Sequence, residues 1–359
     1  MKRAVVYEAS KPLRLTDYAI PTPPSKGAVV KITYSGVCHS DINFWEGFDS
    51  GPGLKEVAPG HEIAGVVEAL GDSAGTELNV GDNVVVYPWL KCLECALCVG
   101  WRPNLCNDIR YMLGCSQHGG FATHVVVPIV ERTVLRIPRG LTPEVACMLP
   151  CSGITTYNAV LNTRDTLLDM VGLRGKANLL VIGAGGLGLW CIQFAKHILP
   201  PEVSVFSADI TEEKLKLAQD ANADGTILWT KGANEEALLA HTREISGVGK
   251  IGFDAVIDLV GSEDTSRRAY ELQAAGGIQV TVGLFGGKLT LDLPSHTFSS
   301  KCVKGVLVGT PHHLEEVLKL VAEKKLKPPP TEFYSLEQIT DVLNRLKDGQ
   351  IKGRAILKM

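Results

Sequence analysis

Charge of one sign is what this sequence most lacks: 36 lysines and arginines stand against 39 aspartates and glutamates, and the net charge of -3 is scattered rather than clustered. That excludes the basic patch that binding to a phosphate backbone requires, so no nucleic-acid partner is expected. Internal repeats and low-complexity segments are also missing. A composition of 45% hydrophobic and 21% charged residues leaves no room for disorder as the default state. The opening MKRAVVYEAS reaches Glu8 before any apolar core of a secretory signal develops, so it reads as a first strand. One uncharged run, residues 177–195, approaches the length of a bilayer span. Its glycines at Gly183, Gly185, Gly186 and Gly188 favour a buried strand, turn and helix, and no membrane partner is expected. Without an export signal, ten cysteines in a chain of this size do not read as a disulfide framework. Four of them bunch between Cys92 and Cys106, which points to metal binding in a reducing compartment, most simply the cytoplasm.

The chain's 359 residues exceed what one hydrophobic core usually organises, so two domains are expected. Up to about Cys151 the pattern is short and strand-like, at residues 28–37, 62–70, 83–87 and 121–127, punctuated by Gly, Pro and Asp. The character then changes to apolar β-branched runs alternating with helical segments: strands at 178–182, 203–208, 254–259, 277–282 and 303–308, with helices to His197 and from Glu212. Such alternation predicts a parallel sheet with helices on both faces. After Gly309, a helix over 312–325 must stop before Pro328, Pro329 and Pro330. A helical segment at 336–346 and a closing strand at 353–357 follow.

Cys92, Cys95, Cys98 and Cys106 form C-x2-C-x2-C-x7-C in a turn-rich lobe at about residues 91–107. Four converging thiolates suit a tetrahedral zinc and leave no open position, so the site reads as structural. Spacing alone does not choose the metal, and an iron–sulfur cluster fits the same cysteines. A second, dispersed set comprises Cys38, His61 and Cys151, three ligand types with a fourth position free, as a Lewis-acid zinc needs. Asp41 is placed to orient the imidazole of His61, and Glu62 to tune zinc charge or ligand exchange. Further on, the apolar run 179–182 leads into Gly183-Ala184-Gly185-Gly186-Leu187-Gly188 and a helical pattern. A glycine motif in that context lets a pyrophosphate lie on the helix N-terminus, and Asp209, ending the second strand, is placed to bind the ribose. A carboxylate there repels a 2′-phosphate, which favours NAD over NADP.

The segments GVCHSD, GHE, the four-cysteine lobe, CSGITTY at 151–157 and the glycine motif together resemble the zinc-containing medium-chain alcohol dehydrogenases, in order and approximate spacing over essentially the whole chain. The resemblance implies an α/β fold: a mainly β, GroES-like catalytic domain at 1–152, a Rossmann-type doubly wound NAD-binding domain at 153–309, and a return of 310–359 to the first. It implies two zinc ions per chain, with Cys38, His61 and Cys151 holding the catalytic one and Cys92, Cys95, Cys98 and Cys106 the structural one. Ser40 matches the hydroxyl that hydrogen-bonds the alcohol, and His39 a basic residue near the pyrophosphate. Thr155 matches a residue packed on the nicotinamide, Lys214 a lysine at the adenosine ribose, and Arg354 an arginine on the pyrophosphate. Trp45 and Trp89 match bulky pocket residues, with core packing as the alternative. Cys115, Cys147, Cys191 and Cys302 are left as structural. One departure stands out: many similar enzymes carry a histidine three residues after the relay hydroxyl, where this chain has Asn43.

The expected reaction is interconversion of an alcohol with an aldehyde or ketone by hydride transfer to or from NAD, and the resemblance implies a homodimer or homotetramer. A polyol dehydrogenase and an aldehyde reductase are rivals on the same scaffold, and a non-catalytic dinucleotide-binding protein is a third. Polyol enzymes of this type usually replace one zinc thiolate by a carboxylate, so Cys151 counts against the first.

Overall fold

The computed structural model describes residues 1–47 and 56–359, in two units: Met1–Ile154 with Gly309–Met359, and Thr155–Val308. The first unit begins with strands β1 (Lys2–Val5), β2 (Arg14–Asp17) and β3 (Ala28–Val37), then helix α1 (His39–Glu46) and β4 (Glu62–Leu70). It continues through β5 (Asn83–Val86), the one-turn α2 (Ala96–Val99), β6 (His124–Val127), β7 (Val134–Arg136) and α3 (Pro143–Ala146). A π-helical turn, Leu149–Gly153, leads into the long helix α4 (Ile154–Arg174).

The second unit alternates β8 (Ala177–Ile182), α5 (Gly186–Ile198), β9 (Val203–Asp209), α6 (Glu212–Asp220), β10 (Gly225–Leu228) and α7 (Glu235–Ile245). It ends with β11 (Phe253–Asp258), α8 (Glu263–Leu272), β12 (Gln273–Thr281), α9 (Leu293–Ser299) and β13 (Cys302–Gly305). Its strands pair in parallel in the order β10-β9-β8-β11-β12-β13, the doubly wound arrangement whose ligand crevice lies at the carboxyl ends of the central strands. β8 and β11 are buried along nearly their whole length, as strands covered on both faces must be.

The chain then returns to the first unit with α10 (Pro311–Lys324), β14 (Thr331–Tyr334), α11 (Ile339–Lys347) and β15 (Arg354–Lys358). β15 lies antiparallel to β3, completing a sheet ordered β14-β15-β3-β4-β5-β7, with β6 also on β3. Valines and isoleucines of this sheet, among them Val30, Ile32, Ile63, Val84 and Val86, form the unit's core. The register decides the chemistry: Gly36 of β3 pairs with Glu62 on one side and Ile356 on the other, bringing the starts of β4 and β15 to the end of β3, next to Cys38.

Several expectations need adjusting. Helix α4, 21 residues long, was not legible, because Asn158, Asn162, Arg164, Asp165 and Asp169 interrupt any apolar stripe. The strand expected at 121–127 starts only at His124, since Phe121 and Ala122 instead bond to β1 through Ala4 N and a bridge to Arg3. The last parallel strand is shorter than expected and shifted towards the amino terminus, ending at Gly305, while β12 begins earlier, at Gln273. Helix α10 starts one residue sooner, with Pro311 in its first turn and Thr310 as cap, and stops where Lys325 turns left-handed at φ 51°. Among the described residues, no helix is long and apolar enough to cross a membrane.

Candidate active site and metal centres

Three local devices aim the dispersed ligands at one point. Cys38 caps α1, and its main-chain N–H donates to Asp41 Oδ2 at 2.9 Å. The other carboxylate oxygen of Asp41 accepts from Gly60 N at 3.2 Å and from His61 Nδ1 at 2.9 Å. A fully buried carboxylate can only accept here, so Nδ1 carries a hydrogen and, once the imidazole is neutral, its lone pair is presented from Nε2. That Nε2 is buried and has no hydrogen-bond partner. The π-helical turn carries Cys151, whose Sγ lies 4.0 Å from Cys38 Sγ, and Ser40 Oγ is 3.8 Å from Cys38 Sγ. Single π turns recur at functional sites because the extra residue re-aims one side chain. The ligand atoms of Cys38, His61, Glu62 and Cys151 all lie within 4.8 Å of one another. Two thiols, an orphaned imidazole nitrogen and a carboxylate at that separation fit a tetrahedral zinc with bonds of about 2.0–2.3 Å.

Behind the ligands, Arg354 Nη2 forms an ion pair with Glu62 Oε2, both side chains being buried. Glu62 Oε1 remains unpartnered. A Cβ on Gly36 would collide with the Glu62 carboxylate, so the glycine in GVC makes room for this pair. Burial pushes the Glu62 carboxyl up to about 7, with the charge of Arg354 opposing it and that of Cys38 adding to it. In the metal-free protein the two thiols behave as a unit: the Cys151 S–H donating to Cys38 holds the Cys38 thiol well below the ordinary range and Cys151 well above it. Burial disfavours an imidazolium at His61, but Asp41 and then Cys38 outweigh it, so its pKa is raised. Metal binding would therefore release protons from this cluster.

The rings against His61 are Trp89, with centroids 5.0 Å apart, and Phe44 at 6.4 Å. Trp89 also donates from Nε1 to Pro150 O at 2.9 Å, tying it to the turn that carries Cys151. Phe44 was not singled out from the sequence, though its place five residues after His39 in α1 was available. Trp45 is buried with its indole N–H donating to Lys11 O at 2.6 Å, the arrangement of a core tryptophan. Arg354, matched by resemblance to a pyrophosphate arginine, has Glu62 as its partner here, while its buried Nε has none. Cys147 is buried and its thiol donates to Glu144 O at 3.2 Å, outside the ligand cluster. Cys302, taken as structural, is exposed on the edge strand β13.

In the second unit the glycine loop has the form a dinucleotide needs. Gly183 follows β8 at φ 98°, and a Cβ on Gly188 would strike the Gly183 carbonyl. A Cβ on Gly185, by contrast, would meet nothing within 4 Å, leaving the backbone at the start of α5 open to a phosphate. Gly186 and Leu187 form the first turn of α5. Asp209 ends β9 and accepts from Ala184 N at 2.8 Å and from Thr211 N at 3.0 Å, so the ribose-side carboxylate also braces the loop. Lys214 is exposed on α6 and His39 is exposed at the start of α1. Thr155 is buried in the first turn of α4, its hydroxyl without a partner. Sequence reasoning missed Asp258, buried at the end of β11, which accepts from the main chain of Val260 and Gly261 and from the hydroxyls of Thr265 and Ser266.

The cysteine lobe is separate from the first cluster in sequence and chemistry. Cys92 Sγ lies 3.8 Å from Cys98 Sγ and 3.7 Å from Cys106 Sγ, and all four sulfurs are within 4.8 Å of one another. Main-chain N–H groups of Glu94 and Cys95 draw Cys92 down to about 7, whereas burial pushes Cys98 up to about 12. The lobe leaves its apolar residues outside. Leu97, Val99, Trp101 and Leu105 are exposed, and the lobe's own cluster is made of cysteines.

Comparison with known proteins agrees with this geometry. Residues 24–139 match the alcohol dehydrogenase GroES-like domain and residues 186–323 match the zinc-binding dehydrogenase family. The NAD-dependent alcohol dehydrogenase of Sulfolobus acidocaldarius is 35% identical, over 100% of both chains, and that of Sulfurisphaera tokodaii is 35% identical over 99% of each. The crystal structure of the alcohol dehydrogenase from Aeropyrum pernix covers 100% of both chains at 27% identity, with a TM-score of 0.86. The chain belongs to the zinc-containing medium-chain alcohol dehydrogenase family.

Proposed function

We propose that the chain is a zinc-dependent alcohol dehydrogenase that interconverts alcohols with aldehydes or ketones, using NAD. The observation that carries this reading is the convergence of two buried thiols and an unpartnered imidazole nitrogen beside a half-free carboxylate. Cys38, His61 and Cys151 would hold the zinc, which when bound supplies the Lewis acidity that favours an ionised alcohol, while the nicotinamide supplies the hydride acceptor. The chain's own residues do the rest. Asp41 holds His61 in the tautomer that presents Nε2. Ser40, beside Cys38, is placed to accept a hydrogen bond from the alcohol and pass its proton on. Trp89 and Phe44 shield the imidazole and form apolar walls for the carbon chain of the substrate. Gly185 admits the pyrophosphate, and Asp209 accepts from the ribose hydroxyls while repelling a 2′-phosphate. Cys92, Cys95, Cys98 and Cys106 would hold a second, structural zinc.

Ten free cysteines suit a reducing compartment, and the exposed edge strand β13 is our candidate for pairing with a second copy in a dimer or tetramer. The test is metal analysis combined with an NADH-coupled screen across short aliphatic, branched, aromatic and polyol substrates. Two zinc ions per chain and activity lost on chelation and restored by zinc are expected. Activity that survives complete zinc removal refutes the mechanism.

A further inference from the structure

The second unit contains a cavity of about 460 Å³ at the edge of its sheet opposite the glycine loop. Arg174 closes α4 ahead of β8, Lys250 and Asp254 flank the start of β11, Gln273 opens β12, and Lys301 immediately precedes β13. All these are amino ends of parallel strands, whereas Gly183 follows the carboxyl end of β8 and Asp209 ends β9. With β11 spanning about 20 Å, the cavity is distinct from the dinucleotide crevice.

Its lining is cationic beyond what local pairing neutralises. Asp254 is already committed, to Arg174 and to Asn178 N at 2.9 Å. Glu271 also lines the cavity and is paired with Arg267 at 3.7 Å. Arg243 donates only to the Glu271 main-chain carbonyl at 2.9 Å, and Lys301 only to the Tyr270 carbonyl at 2.7 Å, so among the described residues neither has an ion-pair partner. Burial and then the charge of Arg243 depress the pKa of Lys301, with the Glu271 carboxylate opposing them: two half-buried cations crowd one space. The third feature is Gln273, 3% exposed. Its Nε2 donates both hydrogens, to Gly277 O and Cys302 O, which leaves Oε1 as an acceptor, buried and unpartnered. A ligand that satisfies this lining carries negative charge for Arg243, Lys301 and Lys250 and also a hydrogen for Gln273. Carboxylate and sulfate have no such hydrogen near neutral pH, but a protonated phosphate has both.

We propose that this cavity binds a phosphate group, with Arg243 and Lys301 as its charge partners, Lys250 at the mouth and Gln273 accepting from its P–OH. The test is thermal melting of the full-length protein with saturating NADH, so that the pyrophosphate site is filled, at constant ionic strength and about pH 6, where phosphate monoesters are half protonated. Inorganic phosphate at ten times its Kd should raise Tm by about 2 °C, sulfate several-fold less effectively, and acetate not at all. Arg243→Gln and Lys301→Gln should each weaken phosphate binding about tenfold without changing NAD-dependent alcohol oxidation, because neither touches the metal or glycine-loop residues. Lys250→Gln, on an exposed side chain, should weaken it a few-fold and keeps the test valid if the buried variants fold poorly. Glycerol phosphate binding more tightly than inorganic phosphate would assign the site to an organic phosphate, and the reverse order to the free ion. No shift above the ionic-strength control, or wild-type affinity in the Arg243 and Lys250 variants, overturns the site; equal effects of sulfate and phosphate overturn the role of Gln273.

Discussion

At the scale of single residues, Asp41 does the most with the least. One buried carboxylate accepts from the main chain of the two segments that carry Cys38 and His61 and from the His61 imidazole itself, so it sets both ligand position and tautomer. Cys38→Ser is expected to abolish alcohol oxidation and lose one of two zinc ions while the protein stays folded. Metal analysis and circular dichroism check this, and two ions retained would place the catalytic metal elsewhere. Asp209→Gly removes a charged acceptor for the ribose as well as the brace on Ala184 N, so the preference for NAD over NADP should fall about ten- to hundredfold. Comparing kcat/KM for the two cofactors decides it. Asn43 lies three residues after Ser40, on α1, and cannot titrate. Alcohol oxidation should therefore be fastest at alkaline pH, and Asn43→His should raise the rate near neutral pH by a few-fold to about tenfold. Deuterated and ordinary alcohol compared across pH would isolate the hydride step; an unchanged neutral rate would mean that the proton does not leave through this position.

At the scale of elements, what sequence reading delivers depends on how local the signal is. The glycine loop and the cysteine lobe are each contained in a short segment with its own spacing rule, and both were legible. Helix α4 was not, since its polar residues blur the stripe that marks a buried face, and the π-helical turn carrying Cys151 has no sequence signature at all. The lobe also shows how an element without a core is held. Leu97, Val99, Trp101 and Leu105 face outwards, and only Leu93 reaches the neighbouring core. Arg132 lies over the Trp101 ring at 3.9 Å and donates to Val99 O at 3.2 Å, but with so little apolar burial metal ligation is expected to carry much of the lobe's order. Cys98→Ser should consequently lower Tm by several degrees and expose the lobe to proteolysis, with the catalytic zinc still bound. Melting curves with and without added zinc test this, and a melting temperature within a degree of wild type would show that the lobe is ordered by other means.

At the scale of the whole molecule, the last 51 residues rejoin the first unit and bring Arg354 to Glu62 across 292 positions of chain. No local pattern announces that pairing; it follows from β15 and β4 flanking the same end of β3. The pair joins the final strand to the metal cluster, and both side chains are buried, so neither charge has water to fall back on. Arg354→Met should cost about 3–5 kcal/mol, because it strands the Glu62 carboxylate in a site that already pushes its pKa to about 7 without the metal. The sign with pH follows. A carboxyl whose folded pKa is raised above its unfolded value destabilises the fold as pH climbs from about 4.5 through 7, and loss of Arg354 should move that window higher. The metal-free variant should thus lose more stability at pH 8 than at pH 5. Adding Glu62→Gln should recover part of the loss, since a neutral amide needs no counter-charge. Denaturant melts of the four proteins of this double-mutant cycle, at both pH values, measure the coupling directly. A coupling below about 0.5 kcal/mol would mean that the carboxyl-terminal strand is held by its sheet hydrogen bonds alone, with Arg354 free to serve another partner.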